Sequence, residues 1–285
     1  MADAYLWTEG DPLGAVRRLI QTLHAQMPSQ VYVSSVGTTG SARRLAGAML
    51  EASAIKNEIT AHAVGTLSRH PNARTILEIG GQDAKIILLQ DSIVMDYAMN
   101  TLCAAGTGAF LSAQAGRLGL TVEEIGPMAL NSHSPTQLSA RCTVFAESDL
   151  IHKAQAGHSK MDLVAGLCAA VVANYLNNVG KGKQIIPPVI FQGGVSKNQG
   201  VVAAFEKELG CEVSVDADGH LMGAVGAAIL GADNLNRTKP FSFDLADKIY
   251  ETQARPCEGC LNHCEVVHFY RDGIVLDHWG NRCDR

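Results

Sequence analysis

Four of the eight cysteines in this 285-residue chain fall within its last 29 positions, spaced as Cys257-x2-Cys260-x3-Cys264-x18-Cys283. Thiols so spaced read first as metal ligands: a short knuckle aims three sulfurs at one point, and the fourth returns after a hairpin. Tetrahedral zinc and a [4Fe-4S] cluster both accept four thiolates, and the spacing leaves that choice open. His263 and His268 are near enough to compete, but four thiolates already complete a site. The remaining cysteines are scattered. Cys103 stands just before Gly106-Thr107-Gly108, a glycine-rich turn opening a helix, and Cys142 opens a second helix beside Arg141. A helix N-terminus and a neighbouring cation both stabilise a thiolate, so either cysteine is placed to ligate a soft metal. The bland use of an isolated cysteine is as a small buried hydrophobe, and Cys168 and Cys211, inside apolar runs, are read that way.

Two glycine pairs offer a different chemistry. Ile79-Gly80-Gly81-Gln82-Asp83-Ala84 lies between two strand-like runs, and Phe191-Gln192-Gly193-Gly194 leads into a helix at Asn198. A glycine pair lets the backbone approach phosphates and point its N–H groups at them. Beside it, Asp83 can hold magnesium through water or orient an attacking water, with Gln82 polarising that water. Taken singly, each loop is equally an ordinary Gly-Gly turn. Two of them flanking one helical insert are harder to dismiss.

The elements that must carry these residues alternate. Val31–Ser35 reads as a strand, followed by a glycine turn and a helix over Ser41–Leu50, with an amphipathic helix ahead of them over Pro12–Ala25. Thr75–Ile79, Ala84–Leu89 and Ile93–Tyr97 read as a meander, so the sheet is not purely parallel. Ser159 and Asp162 cap a long helix running to Gly180. Pro188–Phe191 and Cys211–Val215 are short strands, Asn198–Leu209 and His220–Leu230 helices. A polar linker, Asn234–Pro240, precedes a hairpin of Val266–Tyr270 and Ile274–Trp279 about the turn Arg271–Gly273. The expected division is 1–233 for the main domain and 234–285 for linker and metal-binding hairpin.

Composition closes off other classes. At 47% hydrophobic and 18% charged residues, the chain is not disordered. A net charge of −5 and 5% aromatic residues leave neither a basic face nor stacking platforms for nucleic acid. No run of apolar residues is long enough to span a membrane, and the start lacks a secretory signal, so a cytoplasmic location is expected.

In order, Gly80–Asp83, the Asn100–Gly108 motif around Cys103, Cys142–Ser148, and Gly193-Gly194-Val195 with Asn198 resemble the activator ATPases of 2-hydroxyacyl-CoA dehydratases and benzoyl-CoA reductases (BadF/BadG/BcrA/BcrD type). The resemblance covers roughly Val31 to Leu230. It implies the two-lobed α/β fold of actin, sugar kinases and Hsp70, which is ribonuclease H-like. It also implies an iron–sulfur homodimer that uses ATP, with magnesium, to pass a low-potential electron to an acyl-CoA dehydratase or reductase component. The electron donor would be a ferredoxin or flavodoxin. On this resemblance Cys103 and Cys142 of each subunit hold one shared [4Fe-4S] cluster. Gly80, Gly81, Gln82 and Asp83 form the second phosphate loop, Gln82 and Asp83 serving hydrolysis, and Gly193, Gly194 and Asn198 contact the adenosine of bound ATP or ADP.

Two features depart from that pattern. The family's opening strand and Asp-x-Gly-Ser-Thr phosphate loop have no counterpart here, and the Cys257–Cys283 motif exceeds what the short activators carry. The tail resembles the cysteine motif of larger, multi-domain members, so the chain is expected to be a piece of one, with its first strands missing. The alternative function is a non-hydrolysing iron–sulfur or regulatory module of the same fold with an incomplete nucleotide cleft.

Overall fold

A computed structural model describes residues 2–100, 106–139, 143–233 and 241–283. Helix α1 (Pro12–Gln26) begins where Asp11 accepts a hydrogen bond from the Gly14 amide at 2.9 Å and Pro12 supplies a preset φ. It is followed by β1 (Gly37–Thr38), α2 (Arg43–Met49), β2 (Ala54–Ile55) and α3 (Glu58–Arg69). The expected strand over Val31–Ser35 does not form. Val31 is 54% and Tyr32 71% exposed, and β-branched or aromatic residues favour a strand only when a sheet face is there to pack them.

The chain continues through β3 (Thr75–Ile79), β4 (Ala84–Gln90), β5 (Ile93–Asn100), α4 (Gly108–Arg117), α5 (Val122–Leu130), α6 (Thr143–Gln155) and α7 (Lys160–Asn178). Then come β6 (Val189–Gln192), α8 (Gln199–Leu209), β7 (Val213–Ser214) and α9 (Met222–Ala232). The last elements are β8 (Tyr250–Pro256), β9 (Glu265–Arg271) and β10 (Ile274–Trp279). By their internal contacts they form two compact units: Gly65–Met222, and Met1–Val64 together with Gly223–Arg285.

The unit Gly65–Met222 is built on a five-stranded sheet in the order β5-β4-β3-β6-β7. β3 runs antiparallel to β4 and parallel to β6, so the sheet is mixed, as the meander requires. All five residues of β3 are buried, the mark of a central strand covered on both faces. α7 supplies much of that cover: Leu163, Val164, Leu167, Val171 and Tyr175 are buried in the same core as Leu77, Ile86 and Phe191. Burying each such large side chain is worth about 1.5–3 kcal/mol. Ser159 caps α7 by accepting from the Asp162 amide at 3.1 Å.

In the other unit, β1 and β2 pair in parallel, and β8 to β10 form a sheet in the order β10-β9-β8. The tail is therefore three-stranded rather than an isolated hairpin. It packs through Tyr250, Phe269 and Trp279 onto Met49 and Leu45 of α2 and Leu13 and Val16 of α1. The Tyr250 hydroxyl donates to the carbonyls of Met49 or Leu245, at 3.2 and 2.9 Å.

Candidate functional site

The loop Gly80–Asp83 is a tight turn between β3 and β4, closed by the Gly80 amide donating to the Asp83 carbonyl at 2.9 Å. Gly81 and Gln82 are exposed at its tip. Their carbonyl side is taken up by α4, whose first amides, Gly108 and Ala109, donate to the carbonyls of Gly80 and Gly81 at 2.9 and 2.8 Å. Gly108 suits this close approach, since a Cβ would come within 3.1 Å of the Gly80 oxygen and the loop would have to give way slightly. The loop amides are thereby turned away from α4. A helix start that is otherwise a ready anion site is spent on orienting the loop.

The second glycine pair lies beside the first. β6 pairs with β3 in parallel, Gln192 opposite Glu78, so Gly193 leaves the sheet next to Ile79. Gly193 has φ 85°, and a Cβ on it would collide with the Ile79 carbonyl. Only glycine lets the two loops approach this closely. Both loops sit at the carboxyl ends of neighbouring parallel strands, where open α/β sheets bind their ligands. A 3-10 turn, Gly194–Lys197, follows, held by the Ser196 hydroxyl donating to the Gly193 carbonyl at 2.8 Å. Asn198 is the N-cap of α8, its Oδ1 accepting from the Val201 amide at 3.2 Å, while its buried Nδ2 has no partner among the described residues.

Two residues that the sequence reading passes over complete the loop. Lys85 is 2% and Glu78 4% exposed, and the Lys85 ammonium donates to Glu78 Oε2 at 3.0 Å and to Asp83 Oδ1 at 2.7 Å. One buried cation thus fixes the carboxylate of the exposed turn to a carboxylate of the sheet. Tyr175, from α7, donates its hydroxyl to the Lys85 carbonyl at 2.6 Å. Its phenol is pushed well above the ordinary range, chiefly by burial and then by the nearby Glu78 carboxylate, so it stays a donor. The signal for the pair was available: once Gly80–Asp83 is read as a turn, Glu78 and Lys85 face each other across the strands.

Of the cysteines, Cys103 and Cys142 lie outside the described residues, as does the linker Asn234–Pro240. Cys142 directly precedes α6, and Cys103 lies five residues ahead of α4. Cys168 is buried and its thiol is pushed up to about 12 by desolvation, the inert behaviour expected of a core cysteine. Cys257, Cys260, Cys264 and Cys283 are free thiols. Among the described residues no three or more His, Cys, Asp or Glu side chains stand together as a metal-binding group, so the tail sulfurs are not gathered at one point.

The chain has an actin/sugar-kinase/Hsp70-like fold, with backbone loops at adjacent strand ends of its mixed sheet. The structural resemblances agree: the activator of 2-hydroxyisocaproyl-CoA dehydratase from Clostridium difficile, solved with bound ADPNP, superposes with a TM-score of 0.71 at 31% identity, covering 82% of this chain and 85% of that one. This chain belongs to the BadF/BadG/BcrA/BcrD ATPase family, whose model matches residues 8–231. It is 35% identical over 223 residues to a 2-hydroxyisocaproyl-CoA dehydratase activator of Clostridioides difficile, across 74% of this chain and 84% of the relative. It is also 36% identical over 176 residues to the (R)-2-hydroxyglutaryl-CoA dehydratase activating ATPase of Acidaminococcus fermentans, across 61% of this chain and 66% of the relative. Among the described residues no helix is long and apolar enough to cross a membrane.

Proposed function

We propose that this chain is an ATP-dependent activator that passes a low-potential electron to the enzyme component of a 2-hydroxyacyl-CoA dehydratase or a related acyl-CoA reductase. The observation that carries the reading is the pairing of the Gly80–Asp83 and Gly193-Gly194 loops on neighbouring parallel strands, within a chain of this family. A structural neighbour with bound ADPNP supports a nucleotide as the ligand. In this reading the outward amides of Gly81 and Gln82 receive phosphate oxygens, and Gly193 and Gly194 admit the nucleoside against bare backbone. Asp83, pinned by Lys85, holds hydrated magnesium or the attacking water, with Gln82 beside it.

The family resemblance assigns Cys103 and Cys142 of two protomers to one [4Fe-4S] cluster, which when bound supplies the low-potential electron. The chain's local structure suits those ligands. Cys142 immediately precedes the N-terminus of α6, where a thiolate is favoured. The segment after Cys103 leads into α4, whose first amides are fixed to the phosphate loop itself. A shift of Gly80 or Gly81 on nucleotide binding or hydrolysis therefore acts directly on the helix that follows Cys103. The remaining parts of the reading are a homodimer, a ferredoxin or flavodoxin as donor, and the cytoplasm, whose reducing conditions keep the thiols free.

The test is to mix the anaerobic, dithionite-reduced protein with a purified 2-hydroxyacyl-CoA dehydratase component and its substrate, with and without ATP. ATP-dependent activation that disappears in Asp83→Ala supports the proposal. Activation indifferent to ATP sinks it, and ADPNP binding without any ATP turnover replaces it by the non-hydrolysing module.

A further inference from the structure

The cysteine-bearing end of the β8–β10 sheet lies in the unit that carries neither glycine loop. β8 ends at Pro256 opposite Glu265, the first residue of β9. Just beyond, the Cys257 amide donates to the Cys264 carbonyl at 2.7 Å, closing a turn that holds Cys257, Cys260 and Cys264. Inside it the His263 amide donates to the Cys260 carbonyl at 3.3 Å, and His263 itself takes a left-handed φ of 41°. β10 then runs back along β9 and ends at Trp279 opposite Val267. The next residue, Gly280, has φ 106° and lies so close to the Glu265 carbonyl that a Cβ would clash with it. Asn281 Nδ2 donates to the Cys283 carbonyl at 2.6 Å, folding the chain over at this point. Three strands thus deliver all four thiols to one end of one sheet.

No residue from Cys257 to Cys264 is buried, and Leu261 is 96% exposed, so the turn has no apolar anchor. The four thiols are free, and in this arrangement they stand apart. We infer that Cys257, Cys260, Cys264 and Cys283 are the ligands of a closed, mononuclear four-thiolate zinc site that draws the turn and the segment after β10 together. The strand pairing brings all four cysteines to the same end of the sheet, and the metal would draw the separated sulfurs together. The chemistry is ligand exchange: each thiol gives up its proton to solvent, each sulfur takes one position on Zn²⁺, and no electron moves. With all four positions filled by protein, the site has no vacancy for substrate and acts as a clasp. A single ion accepts four protein thiolates, here three from one short turn and one from the segment after β10.

The full chain, purified anaerobically and supplied with Zn²⁺, is analysed for zinc and iron after gel filtration. About one zinc per chain is expected, falling at least about tenfold in Cys260→Ser and in Cys283→Ser and unchanged in Cys211→Ser. Should a variant fold poorly, chelation of the unmutated chain gives the same answer: removing zinc exposes about four additional thiols to a colorimetric reagent. Co²⁺ in place of zinc should give the visible bands of a tetrahedral tetrathiolate centre. A folded chain that binds no zinc and whose four tail thiols already titrate freely overturns the inference. Iron in place of zinc, lost specifically in Cys260→Ser, overturns the assignment of the metal. Neither result bears on the nucleotide loops.

Discussion

Lys85 is a residue whose loss should be costly for a single side chain. Its ammonium sits between Glu78 and Asp83 with almost no access to water, and the Glu78 side chain is only 6% exposed. A buried ion pair contributes little net stability against an apolar replacement of the whole pair, but removing one partner strands a charge. Lys85→Met should therefore lower stability by about 3–5 kcal/mol in a denaturant melt, and Glu78→Gln added to it should recover part of the loss. ADPNP affinity, measured by calorimetry at a temperature where both proteins are folded, should fall as well, because Asp83 loses its anchor. Undiminished affinity in Lys85→Met would mean that the pair serves only the core. At this scale the sequence displayed the exposed loop, Gly80 to Asp83, through its glycines. The buried cation beneath it was legible only through the pairing, because a lysine in an apolar strand reads as outward-facing until the turn sets Lys85 opposite Glu78.

Among the elements, α7 shows how tertiary contact overrides local preference. Gly166 lies inside this 19-residue helix, where replacing glycine by alanine ordinarily gains about 1 kcal/mol. A Cβ at Gly166 would, however, run into the carbonyl of Thr136. That segment has little freedom to retreat. The Thr136 amide donates to the Asp162 carbonyl at 2.9 Å, and its hydroxyl is 2.9 Å from His158 Nδ1. Overpacking of this kind costs about 1–3 kcal/mol, so the clash outweighs the propensity gain and Gly166→Ala should lower the thermal midpoint. A higher midpoint would show that the Thr136 segment yields more easily than its hydrogen bonds indicate. The same contrast explains which elements were legible. α7 and the β3–β5 meander have strong patterns and clear breakers, so sequence and structure agree there. β8 has one buried residue followed by six exposed ones and offers no alternation to read, although it converts the tail from a hairpin into a sheet.

At the scale of the molecule, the two glycine loops belong to the unit Gly65–Met222, whereas the four tail cysteines belong to the unit that joins the two ends of the chain. Two ligands acting on different units should leave separate footprints in amide exchange. ADPNP bound at the proposed site should slow exchange at Gly80–Asp83, at Gly108 and Ala109, whose amides bond to that loop, and at Gly193–Asn198. A ligand at 100 times its dissociation constant stabilises the folded state by about 2.7 kcal/mol, ample for slowed exchange in segments that open only with the unit that binds it. Zinc should protect a different set, Cys257–Cys264 and the residues after Trp279, and chelating it should leave ADPNP affinity unchanged. Exchange measured on the whole chain in four states, with and without each ligand, resolves the question. Protection at Gly80–Asp83 without any at Gly193–Asn198 would break the paired-loop site, because a nucleotide that spans both strands must cover both. Loss of ADPNP protection on chelation would tie the tail to the nucleotide site and end the view of it as an independent clasp.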